Sequence, residues 1–318
     1  MRDGLGPGRL PRNSAFWAWK HEKNPFGPSL ALVAEADSAL VGLRVFMRWA
    51  WVRNGRVVPA LRAVDTVTHP SWRGRGVFRD LTLRLVERVS GNGIGFVFNT
   101  PNRQSLRGYL QMGWQPVSRV SVRVKVLRPG ALVRRMVGGV PSVAPVGDPG
   151  GRLDELLAEP QLTAFLNRVT GLDGDRWETP RTVRYLRWRY RMIPGLSYWG
   201  VWRLSTGAGA VVIGCTVTHR LLSELRICEL MVTPDPAGIS LGKELVRQVC
   251  RDSDAGLASA VAIGDTPEAE VLSSLGFGPA PIGRPVFVLR SLQHPSLGRS
   301  GGGAMRDWRL SAGDLELF

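Results

Sequence analysis

The sequence predicts a mixed α/β protein made of two similar units in tandem, the second of them degenerate. Three observations predict it. The N-terminal part alternates strand-like and helix-like hydrophobic patterns in the order β-β-β-α-β-α-β. The same order returns after residue 196. A stretch rich in Pro, Gly and Val, residues 129–150, reads as a linker between them. At 318 residues, 44% of them hydrophobic, the chain is long enough for two cores.

Taken in order, NSAFWAWKHEK (13–23) predicts a short amphipathic helix stopped at Asn24-Pro25. ALVAEAD (31–37) and ALVGLRVFMRWAWV (39–52) predict strands joined by a short turn. Asn54-Gly55 is a hairpin signal. It returns the chain through RVVPALRAVDTVTH (56–69), a third strand interrupted by Pro59. A helix over 76–90 places Leu81, Leu85 and Val89 on one face. GFVFNT (95–100) is a compact strand, and NRQSLRGYLQMG (102–113) a short helix stopped by Gly113. PVSRVSVRVKVL (116–127) alternates valine with polar residues, as one half-buried strand does.

These elements define an N-terminal unit over 1–130. Residues 131–195 hold the linker and a helical segment, in which RTVRYLRWRYR carries five arginines in eleven positions. A second unit spans 196–293 and a tail 294–318. Laying 63–86 over 227–249 matches Asp65 with Glu229, Pro70 with Pro234 and Gly74 with Gly238, which points to an internal duplication.

The segment THPSWRGRGVFRDL (68–81) carries the chemistry. A strand that passes through a glycine-rich turn into a helix leaves the first helical N–H groups unpaired. The helix dipole makes that end electropositive. Gly74 and Gly76 let a diphosphate approach the main chain, and Arg73 and Arg75 add charge-assisted contacts.

P-x-x-R-G-x-G-V-F in residues 70–78 resembles the coenzyme A pyrophosphate loop of the GNAT family of acyl-CoA-dependent N-acyltransferases. NRQSLRGYLQMGW (102–114) is similar to the helix that follows it in that family. Ser71 stands where the family often has Gln or Arg. The resemblance covers roughly 13–128 well and 198–292 weakly. It implies a sheet splayed between the third strand and the strand at 95–100, with pantetheine in the cleft near Val67 and Thr68. Val77 and Phe78 would follow the phosphates, with Asn102 at the next helix. It implies direct attack of an amine on a thioester, with both substrates bound at once. Asp65 is the first choice for the base and His69 the second. A main-chain N–H of 66–68 would take the oxyanion, and Tyr109 would protonate the leaving thiolate. Asn102 and Ser105 also read as helix caps.

In the second unit Ile239 and Ser240 replace the second arginine and glycine of the loop, and Leu272 falls at the tyrosine position. That unit is therefore expected to have lost cofactor binding and to shape the acceptor pocket, with Glu229 orienting a substrate. Trp49, Trp51 and Trp72, among the chain's 11 tryptophans, are expected near the cleft, against a sugar or an acyl chain. Arg187 and Arg191 read either as contacts to an anionic acceptor or to the 3′-phosphate, or as a solvated helix face. The opening, the YLRWRY segment and the acidic tail resemble tandem enzymes of actinomycete secondary metabolism and bacterial exopolysaccharide pathways. That likeness implies a small-molecule amine acceptor, such as the aminosugar of a teicoplanin-type glycopeptide.

The formal charge of +16 favours a phosphate-bearing partner. No basic helix with interleaved base-reading side chains accompanies it, so specific nucleic-acid binding is not expected. Cys215, Cys228 and Cys250 lack CxxC spacing, so no metal and no disulfide framework is expected. The absence of a long apolar run or a signal-like N-terminus points to a cytoplasmic protein, a monomer or homodimer. A protein N-acetyltransferase and a noncatalytic acyl-CoA-binding regulator remain open as alternatives.

Overall fold

The computed structural model describes residues 13–130, 152–171, 174–218, 223–281, 283–292 and 303–315. Most of the expected linker, from residue 131, lies outside them. The chain starts with α1 (Ser14–Trp17), which widens into a π turn over Ala18–Glu22. Strands β1 (Leu30–Ala36), β2 (Ala39–Arg53) and β3 (Arg56–Thr68) form an antiparallel meander, turned at Asn54-Gly55. Helix α2 (Val77–Val89), β4 (Phe96–Asn99), α3 (Arg103–Gln111), β5 (Gln115–Arg119) and β6 (Val122–Val126) follow. After α4 (Leu153–Ala158), α5 (Leu162–Val169) and β7 (Trp177–Glu178), a second helix-to-π segment begins as α6 (Val183–Leu186) and widens over Arg187–Arg191. Then come β8 (Trp199–Leu204), β9 (Gly209–Thr218), β10 (Ser223–Val232), α7 (Pro236–Asp252), β11 (Leu257–Val261), α8 (Pro267–Ser274), β12 (Gly278–Pro279), β13 (Val286–Ser291) and β14 (Trp308–Arg309).

The second half thus repeats the order of the first, as the duplicated pattern predicts. Where the sequence predicts one strand over 116–127, there are two, and they belong to different sheets. The first sheet runs β14-β7-β2-β3-β4-β13-β5, with β1 on β2; the second runs β12-β6-β11-β10-β9-β8. Strand β6 lies between β11 and β12, while β13 lies between β4 and β5. Each half therefore gives its last long strand to the other sheet. The boundaries at 130 and 196 do not divide the sheets, because valine alternation along 116–127 cannot say which sheet each valine faces.

The halves also meet through the two helix-to-π segments. Asn13 caps the first through Phe16 N, and Thr182 caps the second through Tyr185 N. Trp19 Nε1 donates to Trp188 O at 2.6 Å and Trp188 Nε1 donates to Trp19 O at 2.8 Å, the two indoles stacked 5.3 Å apart. This reciprocal pair marks an approximate twofold relation. Arg187 and Arg191 of the RTVRYLRWRYR segment are exposed and form the solvated face that the sequence allowed, while Tyr185, Leu186, Trp188, Arg189 and Tyr190 are buried between the halves. Arg191 is exposed and pairs with Asp154 at 2.6 Å. The described part of the tail folds back, with β14 beside β7 in the first sheet.

Candidate functional site

Strand β3 pairs with β4 only over Ala60–Arg62 against Phe96–Phe98. Beyond Arg62 the two strands diverge. The gap is a cleft of about 750 Å³ lined by Arg62, Asp65, Thr66, Asn99 and Tyr109 among others. It adjoins a groove of about 490 Å³ along the turn before α2, and Thr68, Arg73, Phe78 and Gly108 line both.

The turn leaves the first amides of α2 without a side-chain cap. Gly74 and Gly76 sit at φ +75° and +83°, where a side chain is disfavoured. Gly76 occupies the helix N-cap, and no side chain accepts from the first-turn amides of α2. The second half closes the same place. Residues 69–76 separate β3 from α2, but only 233–235 separate β10 from α7. Asp235 Oδ1 accepts from Gly238 N at 2.9 Å, so a carboxylate already fills the amide site. Gly238 lies buried inside α7, where a Cβ would come 2.0 Å from Thr233 Oγ1. Its match to Gly74 in sequence is therefore not a shared turn.

The predicted residues divide into those at the cleft and those elsewhere. Thr68, Arg73, Gly74, Gly76, Val77 and Phe78 line the groove. Val67 lies one residue before Thr68 on β3 and packs against the core. Arg75 stacks on Trp72, its guanidinium 4.8 Å from the ring centre. Asn102 lines the cleft and caps α3, accepting from Ser105 N at 2.9 Å.

Several assignments are corrected. Trp49 and Trp51 are 2% and 0% exposed and belong to the core, because the hairpin strand that carries them is covered on both faces. Trp49 Nε1 donates to Thr179 Oγ1, and Trp51 packs edge-on against Trp308. Trp72, expected near the cleft, lines the adjoining groove beside the glycine turn. Glu229 is fully buried, held by Arg181 at 2.9 Å and by the Tyr190 hydroxyl at 2.7 Å. It is a buried counterion and lines neither cavity. His69 stays on the exposed turn, with Nδ1 2.7 Å from Ser71 Oγ, and lines neither cavity.

Asp65 does face the cleft, at a β-bulge where Leu43 pairs with Val67 but Val45 with Val64, so Asp65 and Thr66 together oppose Arg44. The bulge puts Asp65 in the left-handed region, φ +40°. Its carboxylate is held by Lys20 Nζ at 2.7 Å and by His21 Nε2 at 2.9 Å; His21 Nδ1 lies 3.0 Å from Ser29 Oγ. Burial alone would raise the Asp65 carboxyl, but Lys20 and His21 outweigh it and hold it well below the usual carboxylate range. Asp65 therefore stays ionised and retains a proton poorly.

Since its proton affinity falls on folding, its contribution to stability is full above the unfolded value near pH 4. That contribution is lost as pH falls below it. We expect Lys20→Met to lower the urea midpoint at pH 5 and the gap from the parent to narrow below about pH 4. A gap that stays constant to pH 2.5 would contradict the pairing.

Tyr109 is buried and projects from α3 into the cleft, its hydroxyl accepting from Arg44 Nη2 at 2.8 Å. Sequence reasoning missed Arg44, Lys20 and His21. Arg44 carried one signal, a lone charge inside the apolar run GLRVFM; Lys20 and His21 carried none.

With the geometry in place, likeness to known proteins can be stated. The family described as acetyltransferase (GNAT) domain matches residues 11–117. No curated protein matches the sequence. Among solved structures, a GCN5-related N-acetyltransferase from Anabaena variabilis is similar at 13% identity and TM-score 0.58, over 83% of this chain and 63% of that one. N-myristoyltransferase of Saccharomyces cerevisiae with bound myristoyl-CoA is similar at 13% identity and TM-score 0.56, over 96% and 79%. A probable N-acyltransferase from Enterococcus faecalis is similar at 12% identity and TM-score 0.59, over 85% and 64%. The chain thus spans less than two thirds of the Anabaena and Enterococcus structures. These likenesses are ones of fold, and they extend beyond residues 11–117 into the second half. Among the described residues no helix is long and apolar enough to cross a membrane, and no cluster of three His, Cys, Asp or Glu stands ready to hold a metal.

Proposed function

We propose that the protein is an acyl-CoA-dependent N-acyltransferase that acylates a primary amine on a small-molecule acceptor. One observation carries the reading: the uncapped start of α2, with its two left-handed glycines, opens directly into a cleft that holds Tyr109 and Asp65. The α2 amides, Arg73 and Arg75 would hold the diphosphate, and pantetheine would run past Thr68 between the splayed strands. The family match over 11–117 and the open cleft support this.

The amine attacks the thioester carbonyl in a ternary complex, where most of the advantage comes from positioning. Asp65, kept ionised, binds the acceptor as its ammonium and orients it; the proton leaves to water in the open cleft before attack. A main-chain N–H of 66–68 takes the oxyanion. Tyr109 protonates the sulfur as the C–S bond breaks. The acceptor end of the cleft is lined by Arg62, Asn99, Gln104 and Asp65, which suits a hydroxyl-rich amine such as the aminosugar of a glycopeptide.

The test has two arms. Calorimetry with coenzyme A and acetyl-, octanoyl- and decanoyl-CoA is expected to show stoichiometric binding. Thiol release is expected with glycopeptide aminosugars and not with peptide N-termini. Failure to bind any acyl-CoA overturns the reading; release with peptides alone moves the acceptor to protein.

A further inference from the structure

We propose that Arg44 is the positioning residue that makes Tyr109 an acid. Its guanidinium occupies a lone pair of the phenol, turns the O–H proton into the cleft, and stabilises the phenolate left behind. The inference rests on the acyl transfer proposed above.

Arg44 is 0% exposed and makes no ion pair with a carboxylate among the described residues. Nη2 donates to Tyr109 Oη at 2.8 Å, and Nη1 donates to Thr66 Oγ1 and, at 3.5 Å, to Val64 O. The rings of Phe46, Tyr109 and Phe78 surround it at 4.9, 5.4 and 5.8 Å. Burial presses its pKa down, with Tyr109 and Asp65 opposing. Arginine nonetheless remains charged in proteins. A buried cation without a carboxylate is costly, and the aromatic faces offset only part of that cost. The arrangement is best matched when negative charge appears on Tyr109. That charge exists only after the tyrosine has given up its proton, so the hydrogen bond strengthens along the reaction rather than in the resting site.

The donor inventory fixes the geometry. A guanidinium has donors and no acceptor, so in this pair the phenol oxygen accepts. Its own hydrogen must point away from Arg44. Phe78 and Trp114 close two sides of the ring at 5.5 and 5.2 Å. The remaining side is the cleft. The bulge opposite Arg44 makes this reach possible, because it turns Thr66 Oγ1 to hold Nη1 while Nη2 passes to α3.

In the transfer step the amine nitrogen bonds to the acyl carbon and gives up a proton to water in the cleft, the C–S bond breaks, and sulfur takes the Tyr109 proton. The phenolate recovers a proton from water as the thiol leaves. The charged groups lining this volume are Arg62 and Asp65 from β3 and Arg73 from the glycine turn, and Arg44 of β2 stands behind the Tyr109 hydroxyl. Lys20 and His21 stand behind Asp65, and Arg290 of β13 lies 5.6 Å from the Trp114 ring. Among these only Arg44 hydrogen-bonds the hydroxyl.

The test compares parent, Arg44→Met, Arg44→Lys and Tyr109→Phe, each checked for folding by circular dichroism. The phenolate absorbance titration of each Arg44 form, minus that of its Tyr109→Phe counterpart, isolates Tyr109. In Arg44→Met the phenolate band is expected to appear at higher pH than in the parent, with Arg44→Lys between the two. The basic limb of the kcat–pH profile should move with it, while kcat falls about tenfold or more. In the Tyr109→Phe background Arg44→Met should cost no further kcat. An unmoved titration, or losses that multiply across the double variant, overturns the proposal. Should Arg44→Met not fold, Arg44→Lys serves in the same comparison. The titration needs no substrate, so it can fail or succeed apart from the acyl-transfer reading.

Discussion

Valine at Gly74 or Gly76 is expected to abolish coenzyme A uptake and leave the fold standing. Both positions lie in the left-handed region, which costs an L-residue roughly 1–2 kcal/mol and a β-branched one more. Space does not forbid the substitution. A Cβ at Gly74 meets nothing within 4 Å, and one at Gly76 meets only Asp80 Oδ2 at 3.7 Å. The turn therefore relaxes toward negative φ, and in doing so it rotates its amides away from the position the diphosphate needs. A hydrogen bond to a charged group is worth roughly 1.5–3 kcal/mol, so removing two of them weakens binding by on the order of a hundredfold or more. Gly91, at φ +81° beyond the far end of α2 and equally open, supplies the control. Gly91→Val carries the same backbone cost and should bind coenzyme A like the parent in calorimetry. Gly74→Val binding as tightly as Gly91→Val would dismantle the cradle.

That turn was legible because its signals are local: strand, two glycines, then a helix. The same holds for β1 to β4, whose ends fall within a residue or two of the patterns that predicted them, and for Tyr109, which follows the turn at a fixed spacing. What the sequence concealed is long-range. Trp49 and Trp51 alternate along β2 as pocket residues would, yet the other half of the chain covers them; nothing within 39–52 reports that cover. Glu229 matches Asp65 by position, but Arg181 reaches it from 48 residues upstream and turns it into a buried counterion. The exchange of β6 and β13 is hidden for the same reason, since two valine-rich strands have equivalent claims on either sheet. One long-range signal was available. FWAWKHEK and YLRWRYRM share a tryptophan at a spacing of 169 residues, and those tryptophans bond each other. Aligning them places Lys20-His21 over Arg189-Tyr190; His21 reaches Asp65 and Tyr190 reaches Glu229, while the cation beside the carboxylate is Lys20 in one half and Arg181 in the other.

Tyr109→Phe is expected to lower kcat about 10²- to 10³-fold while coenzyme A affinity stays within about twofold. The hydroxyl lies in the cleft and the glycine turn is untouched, so binding and chemistry separate. Stability should fall as well, because Arg44 Nη2 loses its acceptor in a buried place, at a cost of about 1–3 kcal/mol; the assay therefore belongs well below the unfolding temperature. Asp65→Asn should behave differently. In the proposed mechanism Asp65 orients the ammonium and carries no proton, so its loss should raise the acceptor KM more than it lowers kcat. The nature of the leaving group distinguishes an acid from a merely packed ring. Coenzyme A leaves as a basic thiolate that needs a proton. A thioester whose thiol is a stronger acid, such as an aryl thioester, leaves without one. With that donor the ratio of parent to Tyr109→Phe rates should shrink toward unity. A ratio that stays constant across both donors would assign Tyr109 to packing, and the proton would then have to reach sulfur from water.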